Sequence, residues 1–90
     1  MTKILMSGGS GLLGQEILKQ NKQYDIIDPS HIVMDIENIN LVDKKVKKEL
    51  PDVFLHCAAI TTPMERHKVN PEVSISTNII GTANVVLTCL

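Results

Sequence analysis

Between residues 4 and 14 the chain passes from an uninterrupted apolar run, Ile4-Leu5-Met6, into Gly8-Gly9-Ser10-Gly11-Leu12-Leu13-Gly14, and this junction constrains the fold more than any other stretch. A short apolar run without alternation is a strand buried on both faces, because a strand with one wet face alternates polar and apolar residues. Beyond the glycines, Leu12, Leu13, Ile17 and Leu18 keep helical spacing, so the glycines lie in a strand-to-helix turn. Glycine at positions 8 and 11 lets the backbone turn sharply and approach phosphate oxygens with no Cβ in the way, while Gly14 lets the first helix lie close on the sheet. The free N–H groups and the positive dipole end of that helix then face the anion. An ordinary β-turn-helix connection can carry the same residues, so the rest of the chain has to decide.

With 90 residues there is room for one small domain, and a chain of that size hides only about two thirds of its unfolded surface. One Phe, one Tyr and no Trp leave the core to Ile, Leu, Val, Ala and Met, a composition that suits a parallel α/β sheet. Lys3 to Ser7 is the first strand, and a helix of about ten residues ends in polar Gln20-Asn21-Lys22-Gln23. Tyr24-Asp25-Ile26-Ile27-Asp28 is a second strand, stopped by Pro29-Ser30, and Ile32-Val33-Met34-Asp35 a third, shorter one. Asn38 is placed to cap a helix with apolar residues at 39, 42, 46 and 50, which Pro51 closes. Val53-Phe54-Leu55-His56-Cys57-Ala58-Ala59 is the clearest strand, and its small last residues leave room for a ligand. Asn70-Pro71 supplies a cap and a first-turn proline, and Ile79, Ile80, Ala83, Val86, Leu87 and Leu90 form an apolar stripe on a final helix. Helices between strands imply parallel pairing through right-handed crossovers. The expected fold is therefore α/β, a partial Rossmann-like doubly wound parallel sheet of about four strands in the order 3-2-1-4 with flanking helices.

Composition also excludes classes of function. The net charge is −1, and Lys44, Lys45, Lys47 and Lys48 fall on a solvated helix face with no aromatic residues for base stacking, so no nucleic-acid partner is expected. No run approaches the roughly twenty residues of a membrane span, and the apolar N-terminal stretch is too short for a signal peptide. Cys57 and Cys89 lack C-x-x-C spacing and are expected as reduced core thiols of a cytoplasmic protein. His56 falls inside an apolar strand, where a hydrogen-bonded core histidine is expected, and no His/Cys/Asp spacing suggests a metal site.

The spacing G-x-x-G-x-x-G over Gly8, Gly11 and Gly14, in place of G-x-G-x-x-G, resembles the extended short-chain dehydrogenase/reductase superfamily of nucleotide-sugar epimerases, dehydratases and reductases. Three further stretches agree. Pro51 to Ala59 is similar to that superfamily's fourth strand, Asn78-Ile79-Ile80-Gly81-Thr82-Ala83-Asn84 to its N-x-x-G-T-x-N helix, and Asp35-Ile36 to its adenine-contacting pair. Within the superfamily, the short link between strands two and three and the sequence Ala58-Ala59-Ile60-Thr61 are most similar to dTDP-4-dehydrorhamnose reductases. The resemblance covers essentially the whole chain and implies that residues 1–90 are an N-terminal dinucleotide-binding portion, with catalytic and substrate portions absent.

Carried over, the resemblance implies that Gly8, Ser10, Gly11, Leu12, Leu13 and Gly14 form the pyrophosphate turn, and that Asp35 and Ile36 meet the adenine. It places Cys57, Ala58, Ala59 and Thr61 on the ribose and nicotinamide side, and matches Asn78 to an asparagine near the active site. Ser10 as a plain turn residue, Thr61 as a loop hydroxyl and Asn78 as a polar group bonding its own helix remain alternatives. Asp28, twenty residues beyond Gly8 at the end of the second strand, suits a ribose diol and repels a 2′-phosphate, which favours NAD over NADP. The alternative is that Asp28 caps the turn at Pro29.

Catalysis has no residues here to carry it. The resemblance implies a Y-x-x-x-K pair in which lysine lowers the tyrosine pKa, whereas Tyr24 is followed four positions later by Asp28. Two readings stand: the NAD(P)-binding portion of a nucleotide-sugar reductase or epimerase, and a non-catalytic truncated module that binds a nucleotide or a partner. An unpaired edge on the strand Val53–Ala59 and apolar Val86, Leu87 and Leu90 lead us to expect a homodimer through that edge or the terminal helix.

Overall fold

Ile4, Leu5 and Met6 offer no polar side chain to water, and the strand that carries them, β1 (Lys3–Ser7), takes the middle of a three-stranded parallel sheet. The structure is a computed structural model and describes residues 1–58 and 71–90. β2 (Asp25–Ile27) and β3 (Val53–His56) flank β1 in the order β2-β1-β3. Register pairs Leu5 with Ile27 on one side and with Phe54 on the other, and Ser7 with His56. Side chains alternate along a strand, so Leu5 and Ser7 share one face with Phe54 and His56.

The expected outermost strand, Ile32–Asp35, is not formed. Its backbone bonds go to local turns: Met34 N–H donates to Ser30 O at 2.9 Å and Asn38 N–H to Asp35 O at 2.9 Å. Asp35 Oδ1 accepts from the Glu37 amide at 3.0 Å and Ser30 Oγ from Val33 at 3.4 Å. Short polar side chains that bond nearby amides compete with strand pairing, and a four-residue segment between two such residues has too few ladder bonds to win. The expected order 3-2-1-4 thus loses one outer strand and contracts to 2-1-4, here β2-β1-β3. The segment keeps an anchoring role, because Met34 and Ile36 are buried while Ile32 and Val33 are exposed.

Helix α1 (Leu12–Gln20) follows the glycine turn, and α2 (Ile39–Glu49) joins the turn segment to β3. Asn38 caps α2 as its sequence position suggested, its side chain accepting from Asn40 N at 3.1 Å and Leu41 N at 3.4 Å. The helix stops where Leu50, at φ 47°, adopts a left-handed conformation before Pro51. Two of its lysines are tied to its own acids, Lys45 to Glu49 at 3.2 Å and Lys47 to Asp43 at 2.8 Å. Hydrogen bonds from Lys45 and then Lys3 hold the Glu49 carboxyl below the usual carboxylate range.

The C-terminal helical run consists of α3 (Pro71–Ile75), a π-helical turn (Ser76–Ile80) and α4 (Gly81–Cys89). The proposed capping residue Asn70 lies outside the described residues. Helix α4 packs on α2 and β3. Its buried residues are Gly81, Asn84 and Val85, whereas the apolar stripe of Ile79, Ile80, Val86, Leu87 and Leu90 faces outward. The core gathers Leu5, Met34 and Val42, with Ile27, Val46 and Phe54 packed around them. Among the described residues no helix is long and apolar enough to cross a membrane.

Candidate functional site

The glycine turn is built by close backbone approaches. Gly8 has φ +76°, and a Cβ there would stand 2.5 Å from Ala58 N and 2.6 Å from Cys57 C, so the turn presses directly on the end of β3. A Cβ on Gly14 would collide with Gly8 O and come within 2.7 Å of the Gly9 Cα, which seats the first turn of α1 on the loop. Gly11 N–H donates to Gly8 O at 3.1 Å to close the turn, and Gly11 O accepts from Gln15 N at 2.9 Å to begin α1. Unlike α2, this helix has no side chain capping its first amides. Beside Gly11 the space is open, since a Cβ there would meet only Gly8 O, at 3.4 Å. An uncapped helix start beside open space is an anion site in its elementary form.

A cleft of about 630 Å³ opens at this point, at the carboxyl ends of the strands. Gly8, Gly9, Ser10 and Gly11 form one wall, Cys57 and Ala58 a second, and Asp28 with Met34 and Ile36 a third. The structure therefore brings together Gly8, Ser10, Gly11, Asp28, Ile36, Cys57 and Ala58. Gly14 is buried behind the turn, while Leu12 and Leu13 stand exposed outside the cleft lining. Asp35 is also outside that lining and faces His31 at 3.6 Å. Asn78 sits in the π-helical turn one residue from Thr77, which does line the cleft. Ala59 and Thr61 lie outside the described residues.

Several contributors carried no role in the sequence reading. A Cβ on Gly9 would collide with the Asp28 carboxylate, so Gly9 is what admits Asp28 to the cleft wall. Ser30 and His31 reach the same wall from the turn after β2. The polar residues of the final helix become legible as anchors. Buried Asn84 donates from Nδ2 to Ile36 O at 2.8 Å, and Gly81 leaves room for the Ile36 side chain. Polar side chains interrupting an apolar helix were the available signal. His56 is hydrogen-bonded as expected, 2.6 Å from Ser7 Oγ through Nδ1 and 2.9 Å from Thr82 Oγ1 through Nε2, but it is half-buried at the edge strand rather than in the core. Burial pushes its pKa below that of a free imidazole and pushes the Cys57 thiol up. Cys57 and Cys89 are both free thiols, Cys57 half-buried and Cys89 exposed. Among the described residues no three His, Cys, Asp or Glu side chains cluster as a metal site would require.

A parallel sheet, a glycine turn folded onto the neighbouring strand and a cleft at the strands' carboxyl ends define a Rossmann-like α/β protein. The chain belongs to the family described as the RmlD substrate binding domain, whose model matches residues 1–90. It is 26% identical over 87 residues to a GDP-L-fucose synthase of Azorhizobium caulinodans, covering 94% of this chain and 28% of that protein. It is 31% identical to a GDP-6-deoxy-D-talose 4-dehydrogenase of Aggregatibacter actinomycetemcomitans, covering 92% of this chain and 29% of the relative. Its fold superposes with a TM-score of 0.91 on a dTDP-4-dehydrorhamnose reductase of Bacillus anthracis solved in complex with NADP, at 27% identity over 98% of this chain and 32% of that one. A dTDP-4-dehydrorhamnose reductase ortholog of Clostridium acetobutylicum gives 0.83 at 30% identity, covering 97% of this chain and 31% of that one. The chain thus spans under a third of the length of these relatives.

Proposed function

We propose that the cleft binds a nicotinamide dinucleotide and that residues 1–90 are the cofactor-binding portion of a nucleotide-sugar reductase or epimerase similar to dTDP-4-dehydrorhamnose reductase. The observation that carries this is the left-handed Gly8 pressed onto Cys57 and Ala58, which leaves the uncapped start of α1 facing an open cleft. Gly8, Ser10 and Gly11 take the pyrophosphate, with Leu12, Leu13 and Gly14 contributing the first turn of the helix behind them. Asp35 and Ile36 take the adenine end. Cys57, Ala58, Ala59 and Thr61 take the ribose and nicotinamide side, with Asn78 on the helix beyond.

The bound nicotinamide would supply hydride transfer, whereas this chain's own residues bind and orient. No Y-x-x-x-K pair stands in the sequence, so we assign the 90-residue chain cofactor binding and no turnover of its own. Asp28 lines the cleft with its carboxylate against Gly9, which supports a diol acceptor and a preference for NAD. A relative solved with NADP keeps a 2′-phosphate within reach of the family, so both dinucleotides belong in the test. The strand edge of β3 has no partner among the described residues, and Val86, Leu87 and Leu90 are exposed beside it, which supports a homodimer. Cytoplasmic residence completes the reading.

Calorimetric titration of NAD and NADP into the chain tests the assignment. Binding is expected, stronger for NAD, and is expected to vanish in Gly11→Val, whose side chain enters the open space beside the turn. Unchanged affinity in that variant would contradict the cradle.

A further inference from the structure

The parallel register places Ser7 of β1 directly beside His56 of β3, and α4 lays Thr82 over the other side of the ring. Five groups then stand in one line, and their hydrogens have a single consistent order. Thr82 donates its only hydroxyl hydrogen to Asn78 O, at 2.7 Å, so toward His56 it can only accept. His56 Nε2 therefore carries a hydrogen and donates it to Thr82 Oγ1. In a neutral ring Nδ1 is then bare and accepts from the Ser7 hydroxyl, whose oxygen in turn accepts from the Ala58 amide at 3.3 Å. The chain of donation runs one way, from Ala58 N–H through Ser7, His56 and Thr82 to the carbonyl of Asn78.

We propose that His56 is a positioning residue, held as the neutral Nε2–H tautomer, which ties the end of β3 at Ala58 and the π-helical turn at Asn78 to the strand that feeds the glycine turn. Ser7, Cys57, Ala58 and Thr77 all line the cleft, so the line of bonds sets the spacing of walls that belong to three separate elements. The Thr82 bond to Asn78 O sits where the helix departs from α geometry, and a hydroxyl bonded one turn back is a known way of bending a helix. Its consequence for cofactor affinity rests on the dinucleotide reading; the tautomer and the tether do not.

Protonation breaks the order. A second hydrogen on Nδ1 would point at Ser7 Oγ, force the serine hydroxyl to turn away and bring a charge into a half-buried site. Among the described residues of the elements that hold the ring no other charge stands near to stabilise it: β1 carries only Lys3, at its far end, β3 carries no other charged residue and α4 carries none. The remaining titratable groups beside the ring are the thiols of Cys57, directly after β3, and Cys89, at the end of α4. Because burial depresses the folded pKa, the unfolded chain takes the proton more readily, and the tether is at full strength above the free-imidazole value of about 6.5 and weakens as pH falls below it.

Imidazole nitrogen NMR of the ¹⁵N-labelled 90-residue chain tests this without ligand. The expected pattern for His56 is neutral Nε2–H at pH 7, with a titration midpoint below the free-imidazole value of about 6.5; an Nδ1–H pattern, or a midpoint at or above that value, would overturn the proposal. In parallel, Thr82→Val is expected to speed amide exchange at Ala58 and to weaken NAD by about three- to tenfold, the worth of one neutral hydrogen bond, with Thr82→Ser restoring both. Unchanged exchange in Thr82→Val, or a loss that serine does not restore, would also overturn it. Should no form bind NAD, the dinucleotide reading fails while the tautomer and the exchange data still decide the tether.

Discussion

Replacing Gly8 by alanine should unfold much of what the glycine turn organises, and its cost can be worked from the geometry. At φ +76° a non-glycine residue carries about 1–2 kcal/mol of backbone strain. The new methyl would lie 2.5 Å from Ala58 N, against the 3.4 Å at which ordinary contact begins, so the turn and β3 must separate by nearly 1 Å. That separation loosens the bond from Cys57 N–H to Ser7 O, 3.0 Å long, and the one from Ala58 N–H to Ser7 Oγ, each worth about 1 kcal/mol. The sum is about 3–4 kcal/mol, a large part of the roughly 5–13 kcal/mol expected for a chain this size. At about 4–8 °C per kcal/mol, the midpoint should fall by more than about 10 °C in thermal melts followed by far-UV circular dichroism. Gly11→Ala is the control. With φ −75° and its nearest contact at 3.4 Å, that position accepts a methyl, and its midpoint should stay within a few degrees. A Gly8→Ala melt indistinguishable from the unmodified chain, or an equal loss in Gly11→Ala, would refute the reasoning.

Asn84→Ala leaves the buried Ile36 carbonyl without its donor and should cost about 1–3 kcal/mol in urea denaturation; a loss below about 0.5 kcal/mol would show that water replaces the amide. Asp28→Ala should narrow the preference for NAD over NADP in calorimetry by removing both the diol acceptor and the repulsion of the extra phosphate, and equal affinities in the unmodified chain would already contradict it. Sedimentation equilibrium should reveal a dimer, because burying a few hundred Å² around Val86, Leu87 and Leu90 at roughly 25 cal/mol per Å² is worth several kcal/mol before association entropy is subtracted. A well-behaved monomer at high concentration would speak against it.

What was legible in the sequence was local and periodic. The apolar run of β1, the glycine turn, the Asn38 cap and the apolar spacing of α2 each announce themselves within a few residues, and parallel order follows from alternation of strands and helices. The segment Ile32–Asp35 misled because a four-residue apolar run is scored by its side chains, while its backbone bonds were claimed by Ser30 and Asp35. Partners distant in sequence were hidden for another reason. Asp28 against Gly9, Asn84 on Ile36 and Thr82 on His56 are contacts that exist only once register and crossover are fixed. The apolar stripe of the last helix gave the reverse difficulty, since its buried face is built from Gly81, Asn84 and Val85 and its more hydrophobic face looks outward.

The central claim is that the glycine turn and the end of β3 together hold a dinucleotide. Amide chemical-shift mapping of the ¹⁵N-labelled chain during titration with NAD tests it most directly. The account predicts the largest saturable shifts at Gly8 to Gly14 and at Cys57 and Ala58, with smaller ones at Ile36 and Thr77. Shifts confined to the lysine face of α2 or to the exposed stripe of α4, or none at millimolar NAD, would contradict it.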